Sequence, residues 1–189
     1  MFRRVKASVL VCAVLIFGIA GQASADTPQP DGPPDKGYHS WCCTSGFTLS
    51  ATADAAMTWL RTQTVVQTVF HAPCDAHTDV RWAQGNVPGA YGQAVCTVRT
   101  NSDRCDRYII TLNKAVIDAA KHPASQRRKT TCHERGHTVG VRHYFENDRP
   151  GTDTTHSCLR SGEVPTADQS WHTRYGAHHR TVHINPWFE

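Results

Sequence analysis

The stretch Thr131-Cys-His-Glu-Arg-Gly-His-Thr-Val-Gly-Val-Arg-His143 limits what this chain can fold into more than any other. It sets His133 and His137 four residues apart, puts Glu134 between them, and follows with Gly140 and His143. On an α-helix, positions i and i+4 share a face, so both imidazoles can aim at one metal ion. Glu134 is then rotated about 100° from His133, beside the ion and poorly placed to be a ligand. There a carboxylate can act as general base on a metal-bound water. Gly140 supplies the left-handed residue that ends a helix, and the returning chain delivers His143. Three neutral imidazoles with an open fourth position are the pattern of a catalytic zinc site, so Zn2+ is the expected cofactor. A structural site would be closed by a fourth protein ligand.

Upstream, Arg3, Arg4 and Lys6 precede an apolar run from about Ala7 to Ala20 and then Ala23-Ser24-Ala25. A basic start, an apolar run and a small-x-small site read as a secretory signal peptide over residues 1–25. The run is shorter than the roughly 18 apolar residues of a spanning helix. A secreted protein cut near Ala25 is therefore expected, with no membrane association afterwards. The whole chain is +4, and loss of Arg3, Arg4 and Lys6 leaves about +1. No basic patch remains that would suggest nucleic acid. Residues 26–37 carry Pro28, Pro30, Pro33, Pro34 and two glycines, a composition expected to form an extended, mobile lead-in. Residues 38–189 have the length of one domain around a single core, expected to be monomeric.

Hydrophobic patterning predicts a short strand at Phe47–Ala51 and an amphipathic helix over Ala53–Arg61. Strands follow at Thr64–Phe70, Val80–Ala83, Tyr91–Thr100 and Tyr108–Leu112. The last two flank the turn-like Asn101-Ser-Asp-Arg104. Ala115–Ala120 comes next, then Pro123, suited to the first turn of the helix that carries His133. Of eight cysteines, Cys12 lies in the leader, and seven remain in the mature chain. In an exported protein most become disulfides, and an odd number leaves one over. Cys96 and Cys105 stand at similar distances from a hairpin tip and are expected to pair.

The string H-E-x-x-H-x-x-G-x-x-H resembles the metzincin clan of zinc endopeptidases, whose motif it matches at all five defining positions. The resemblance implies an α+β fold, a twisted mixed sheet with two main helices and a short C-terminal subdomain. It implies His133, His137 and His143 as zinc ligands, Glu134 as general base, and an extended peptide or protein as substrate. In that family the edge strand that pairs with substrate lies shortly before the zinc helix, and Ala94–Thr100 best fits that place. A methionine turn lies beneath the zinc in the family. Ser157-Cys158-Leu159-Arg160 resembles it, with leucine for methionine as the main departure, a change that nearly conserves volume. The resemblance also places Cys132 near Cys158, implying a bond between them and leaving Cys74 for Cys42 or Cys43. Tyr144 and Tyr175 are candidates for an oxyanion-stabilising phenol. A last helix over Arg174–Asn185 holds His178, His179 and His183, spaced for a surface cluster or a second metal site. Asp148 and Asp153 lack calcium-ligand spacing. The implied function is a secreted zinc-dependent endopeptidase. The competing expectation is a secreted zinc-binding or protein-binding module of the same fold with little or no turnover.

Overall fold

Large apolar residues at alternate positions draw five short segments into one sheet. The computed structural model describes residues 32–143 and 156–189. Its strands are β1 (Tyr38–Cys43), β2 (Gln67–Phe70), β3 (Val80–Gln84), β4 (Gly92–Arg99) and β5 (Cys105–Leu112). They lie in the order β2-β1-β3-β5-β4, with every neighbouring pair parallel except β4 with β5. The antiparallel strand β4 is therefore an edge. Val80 and Trp82 alternate with Tyr108, Ile110 and Leu112 to present a continuous apolar face.

That face is covered by α1 (Ser50–Gln63), whose Ala53, Ala56, Met57 and Leu60 recur at helical spacing and are all buried. Trp41, Val80, Trp82, Ile110 and Leu112 pack with Ala53, Ala56, Met57 and Ile117 in a first core. A short helix α2 (Lys114–Asp118) starts at Asn113, whose side chain accepts from the N–H of Val116. The long helix α3 (Pro123–His137) then crosses behind α1, with Pro123 at its first turn as expected. On its far side a second core joins Cys132, Val139 and Val141 to Cys158, Leu159, Tyr175 and Ile184. Helix α3 is thus held between the sheet layer and the C-terminal residues. The architecture is mixed α+β with one five-stranded sheet and few helices.

Several expectations shift. No strand forms at Phe47–Ala51, because the Leu49 carbonyl accepts from the N–H groups of Thr52 and Ala53 and starts α1 at Ser50. The strand that patterning overlooked is β1, whose burial breaks alternation at Trp41 and Cys42. The expected C-terminal helix becomes a π-helix at His179–Ile184 followed by a three-ten turn. The end of the lead-in is hydrogen-bonded to β5. Cys105 donates to the Pro33 carbonyl at 3.0 Å, Asp35 donates to the Cys105 carbonyl at 3.1 Å, and the Tyr108 hydroxyl donates to the Gly32 carbonyl at 2.8 Å. Composition could not reveal this, since the lead-in supplies backbone groups alone to these bonds. Residues 26–31 lie outside the described residues.

Disulfides join Cys42 to Cys74, Cys96 to Cys105 and Cys132 to Cys158, and Cys43 is free. Three such bonds fit an extracellular, oxidising compartment. No helix among the described residues is long and apolar enough to cross a membrane.

The interior also holds a cation. Arg135 is fully buried, with no carboxylate within ion-pair distance among the described residues. Its guanidinium donates to Met57 Sδ at 3.0 Å, to the Thr138 hydroxyl, and to His39 Nδ1 at 2.6 Å. His39 can accept there only as the tautomer that donates from Nε2, which faces the Lys36 carbonyl at 2.8 Å. Burial first, and then the Arg135 charge, hold His39 well below the usual histidine range. A folded-state value below the unfolded one means the unfolded chain takes up the extra proton. The contribution is complete above about pH 6.5 and is lost as pH falls. Between pH 6 and 4 the wild type should therefore lose more stability than His39→Gln, by up to about 1.4 kcal/mol per pH unit in urea melts. Parallel acid limbs for the two proteins would refute the neutral His39.

Candidate metal centre

Helix α3 is unusual in being polar in sequence yet buried along most of its length, from Lys129 to His137 without a break. A buried polar group is tolerated only when hydrogen-bonded. Gln126 accepts from the N–H of Val164 at 2.8 Å and donates to the Thr130 hydroxyl at 3.0 Å. Thr131 turns its hydroxyl back onto the Arg127 carbonyl. These bonds satisfy the uncharged polar side chains that the helix carries into the interior.

His133 and His137 occupy one face, one turn apart. Each spends its Nδ1–H on a backbone carbonyl, His133 on Cys158 at 2.8 Å and His137 on Val141 at 2.7 Å. Those bonds fix the tautomer and make Nε2 the unprotonated nitrogen of both rings, the atom that can coordinate. The acceptor of His137 exists because the helix ends correctly. Gly140 takes φ +84°, Val141 donates back to the Gly136 carbonyl and Gly140 to that of His137. This is the paired-bond stop that a left-handed glycine allows. The turn delivers His143, whose Nε2 lies 3.0 Å from that of His137.

One donor atom from each of the three histidines lies within 4.8 Å of the others, and the three ring centroids are 4.7 Å apart in every pair. Two nitrogens sharing one tetrahedral ion at about 2.0–2.1 Å stand about 3.3 Å apart, so the cluster fits a metal. Burial, followed by the Lys129 charge, pushes His133 well below its usual range, and burial takes His137 down to about 3. His143 is lowered by the same causes as His133. Neutral imidazoles are what a cation requires.

Glu134 lies against β4, where the N–H of Ala94 donates to its carboxylate. Burial raises it to about 8, against the opposing pull of Lys129 and that N–H. Gly92 makes the fit possible, since a Cβ there would stand 2.8 Å from Glu134 Cγ and 3.0 Å from the Thr130 methyl. The three histidines and Glu134 line one cavity of about 390 Å³, walled by residues 89–94 of the β4 approach and by Lys129, Thr130, Ser161 and Gly162.

Beneath the helix, residues 157–160 form a turn closed by the Arg160 N–H on the Ser157 carbonyl at 3.1 Å. Leu159 is fully buried under Gly136, where an added Cβ would meet Leu159 Cδ2 at 2.7 Å. Tyr175 is not at the cavity. Its hydroxyl donates to the Cys132 carbonyl within the second core. Tyr144, Asp148 and Asp153 lie outside the described residues. His183 and His178 approach at 3.3 Å between Nε2 atoms, while His179 faces the Ser157 hydroxyl through Nδ1. Among the described residues, these three do not converge as His133, His137 and His143 do. Sequence reasoning missed Lys129, Gly92 and the Ala94 amide. Lys129 was within reach, since it stands one turn before His133 on the same face.

No family model matches the chain, and no curated protein is similar to it at a significant level. Among solved structures it is similar to a chain described as the structure of myroilysin, at 16% identity and a TM-score of 0.36. The likeness covers 60% of this chain and 52% of that one, so about half of that structure's length is spanned.

The Gly140 turn yields a direct test. Gly140→Ala places a side chain at positive φ and its Cβ 3.1 Å from Pro33, so it should cost about 1–3 kcal/mol in thermal or urea unfolding. It should also weaken divalent-metal retention in chelator competition, because the Val141 carbonyl that orients His137 moves. Unchanged stability and retention together would show that the turn does not hold the site.

Proposed function

We propose that this chain is a secreted zinc-dependent endopeptidase of metzincin type. The observation that carries the reading is the division of labour among ring nitrogens. The Nδ1 atoms of His133 and His137 are committed to carbonyls, while Nε2 atoms gather at the edge of a cavity that also holds Glu134. Zn2+ held by His133, His137 and His143 would supply a Lewis acid that polarises a peptide carbonyl and acidifies water.

The remaining work falls to the chain itself. Glu134, steadied by the Ala94 N–H, takes a proton from the attacking water and returns it to the leaving amine. A carboxylate poised near neutrality suits both transfers, and a neighbouring dication would favour its ionised form. Strand β4, at the edge of the sheet, offers backbone groups to an extended peptide by strand addition. Secretion through the signal peptide at residues 1–25, and a monomeric state, belong to the same proposal, and the three disulfides support export.

A metal-binding module with little turnover is the second reading, favoured by leucine at position 159. The packing under Gly136 weighs against it, because Leu159 fills that place completely.

Glu134→Gln decides between them. The variant should keep its metal, because Glu134 is not one of the converging donors, yet lose cleavage of a casein or peptide substrate by more than ~10²–10⁴-fold. His143→Ala should instead lose metal, having given up one of three protein ligands. A chelator should abolish wild-type cleavage and added Zn2+ restore it. Near-full cleavage by Glu134→Gln, or a wild type that holds zinc and cleaves nothing, would remove the endopeptidase reading.

A further inference from the structure

One group in the cavity is not used by the hydrolytic scheme. Lys129 stands one helical turn before His133 and is only 4% exposed, yet it lines the cavity. Its ammonium has three donor positions. One is taken by the Gly162 carbonyl at 3.2 Å, and no carboxylate lies within ion-pair distance among the described residues. The charged groups that act on it are Glu134, on its own helix, and Arg160, on the turn beneath. Glu134 is already engaged by the Ala94 amide, and Arg160 adds a second positive charge. A buried cation with no carboxylate in ion-pair contact is costly, and an anionic ligand would relieve that cost.

The surroundings are built to receive a side chain. The N–H of Lys121 and the Tyr91 hydroxyl both donate to the Glu163 carboxylate, tying the β4 approach to the segment after the turn. Gly89–Tyr91, Ser161 and Gly162 line the cavity together with Lys129. Lys129 shares the cavity with the histidine cluster and its charge acts on His133 and His143, so an anion on Lys129 lies near the cluster.

We propose that Lys129 forms a carboxylate-binding subsite of this cavity, selecting peptides with an acidic residue next to the scissile bond. That the ligand is a peptide rests on the endopeptidase reading; that it is a carboxylate rests on the lysine. The carboxylate could belong to an Asp or Glu side chain or to a peptide C-terminus, and the two are separable by experiment.

Binding is measured by fluorescence anisotropy on the mature chain carrying Glu134→Gln, so that peptides stay intact. Labelled, C-terminally amidated peptides differ only by Glu, Gln or Lys at either position flanking the expected cleavage site. A charge-assisted hydrogen bond should make the Glu peptide bind about tenfold or more tighter than the Gln peptide, and the Lys peptide weakest. Adding Lys129→Met should erase the Glu-over-Gln ratio, and Lys129→Arg should keep it. If Lys129→Met does not fold, the three-peptide ranking on the unmutated lysine still decides. A Gln peptide with a free C-terminus that binds as tightly as the amidated Glu peptide would assign the subsite to a chain terminus.

Equal affinities for all charges, a ratio that survives Lys129→Met, or no binding of any peptide would overturn the subsite. Acid-selective binding without cleavage by the wild type would leave the subsite standing and defeat the endopeptidase reading.

Discussion

The hydrogen bond from His133 Nδ1 to the Cys158 carbonyl is the contact on which the rest of this structure turns. Its two ends are also joined covalently, because Cys132 precedes the histidine and is bonded to Cys158 itself. The disulfide closes a long loop between them and should contribute about 2–4 kcal/mol. Its more specific consequence is positional. A histidine whose second nitrogen is fixed by a backbone carbonyl has a set tautomer and ring plane. The carbonyl in turn cannot drift from the helix, because its own residue is covalently tied there. The same chain segment then places Leu159 under Gly136, so fold stability and ring orientation depend on one short turn.

That arrangement answers a problem posed by the sequence of α3. A helix buried on all sides is normally apolar on all sides. This one carries Gln126, Lys129, Thr130, Thr131, Glu134 and Arg135 into the interior. Four of them show how such groups are met inside the protein. The threonine bonds back to its own helix, the glutamine reaches the chain at Val164, the arginine meets a neutral histidine, and the glutamate takes an amide from β4. Apolar residues would pack more cheaply at these places. Under the proposed reading the polar helix serves the histidine cluster and Glu134, and the apolar work is done by α1 and the sheet.

How much of this was legible in the sequence follows from the range of the forces involved. The histidine cluster was readable because it rests on local geometry. Helical spacing places His133 beside His137, and a glycine needing positive φ predicts the return to His143. The Cys96–Cys105 bond was readable for the same reason, being a short-range property of a hairpin. Cys132–Cys158 could be expected only through likeness to a known fold, because nothing local brings residues 26 apart together. Strand β1 was hidden because a strand with neighbours on both sides need not alternate. The docking of Gly32–Asp35 was hidden because the lead-in joins β5 through backbone groups, which composition does not report. The π-helix at His179–Ile184 has no sequence mark that separates it from the α-helix expected there.

Two glycines set the tolerance of the site. Gly92 lets β4 approach Glu134 and Thr130 from one side of α3, and Gly136 lets Leu159 and Tyr175 approach from the other. A Cβ at either place would meet a neighbour at 2.7–2.8 Å, inside normal contact distance. The helix therefore packs between two surfaces at places where no side chain fits without displacing a neighbour. Close packing of this kind transmits displacement, since neither surface can yield without moving the other. A misplacement of about 1 Å can cost a catalytic constellation a factor of about 10². The glycines thus confer accuracy on the residues that line the cavity, although neither touches a metal donor atom itself.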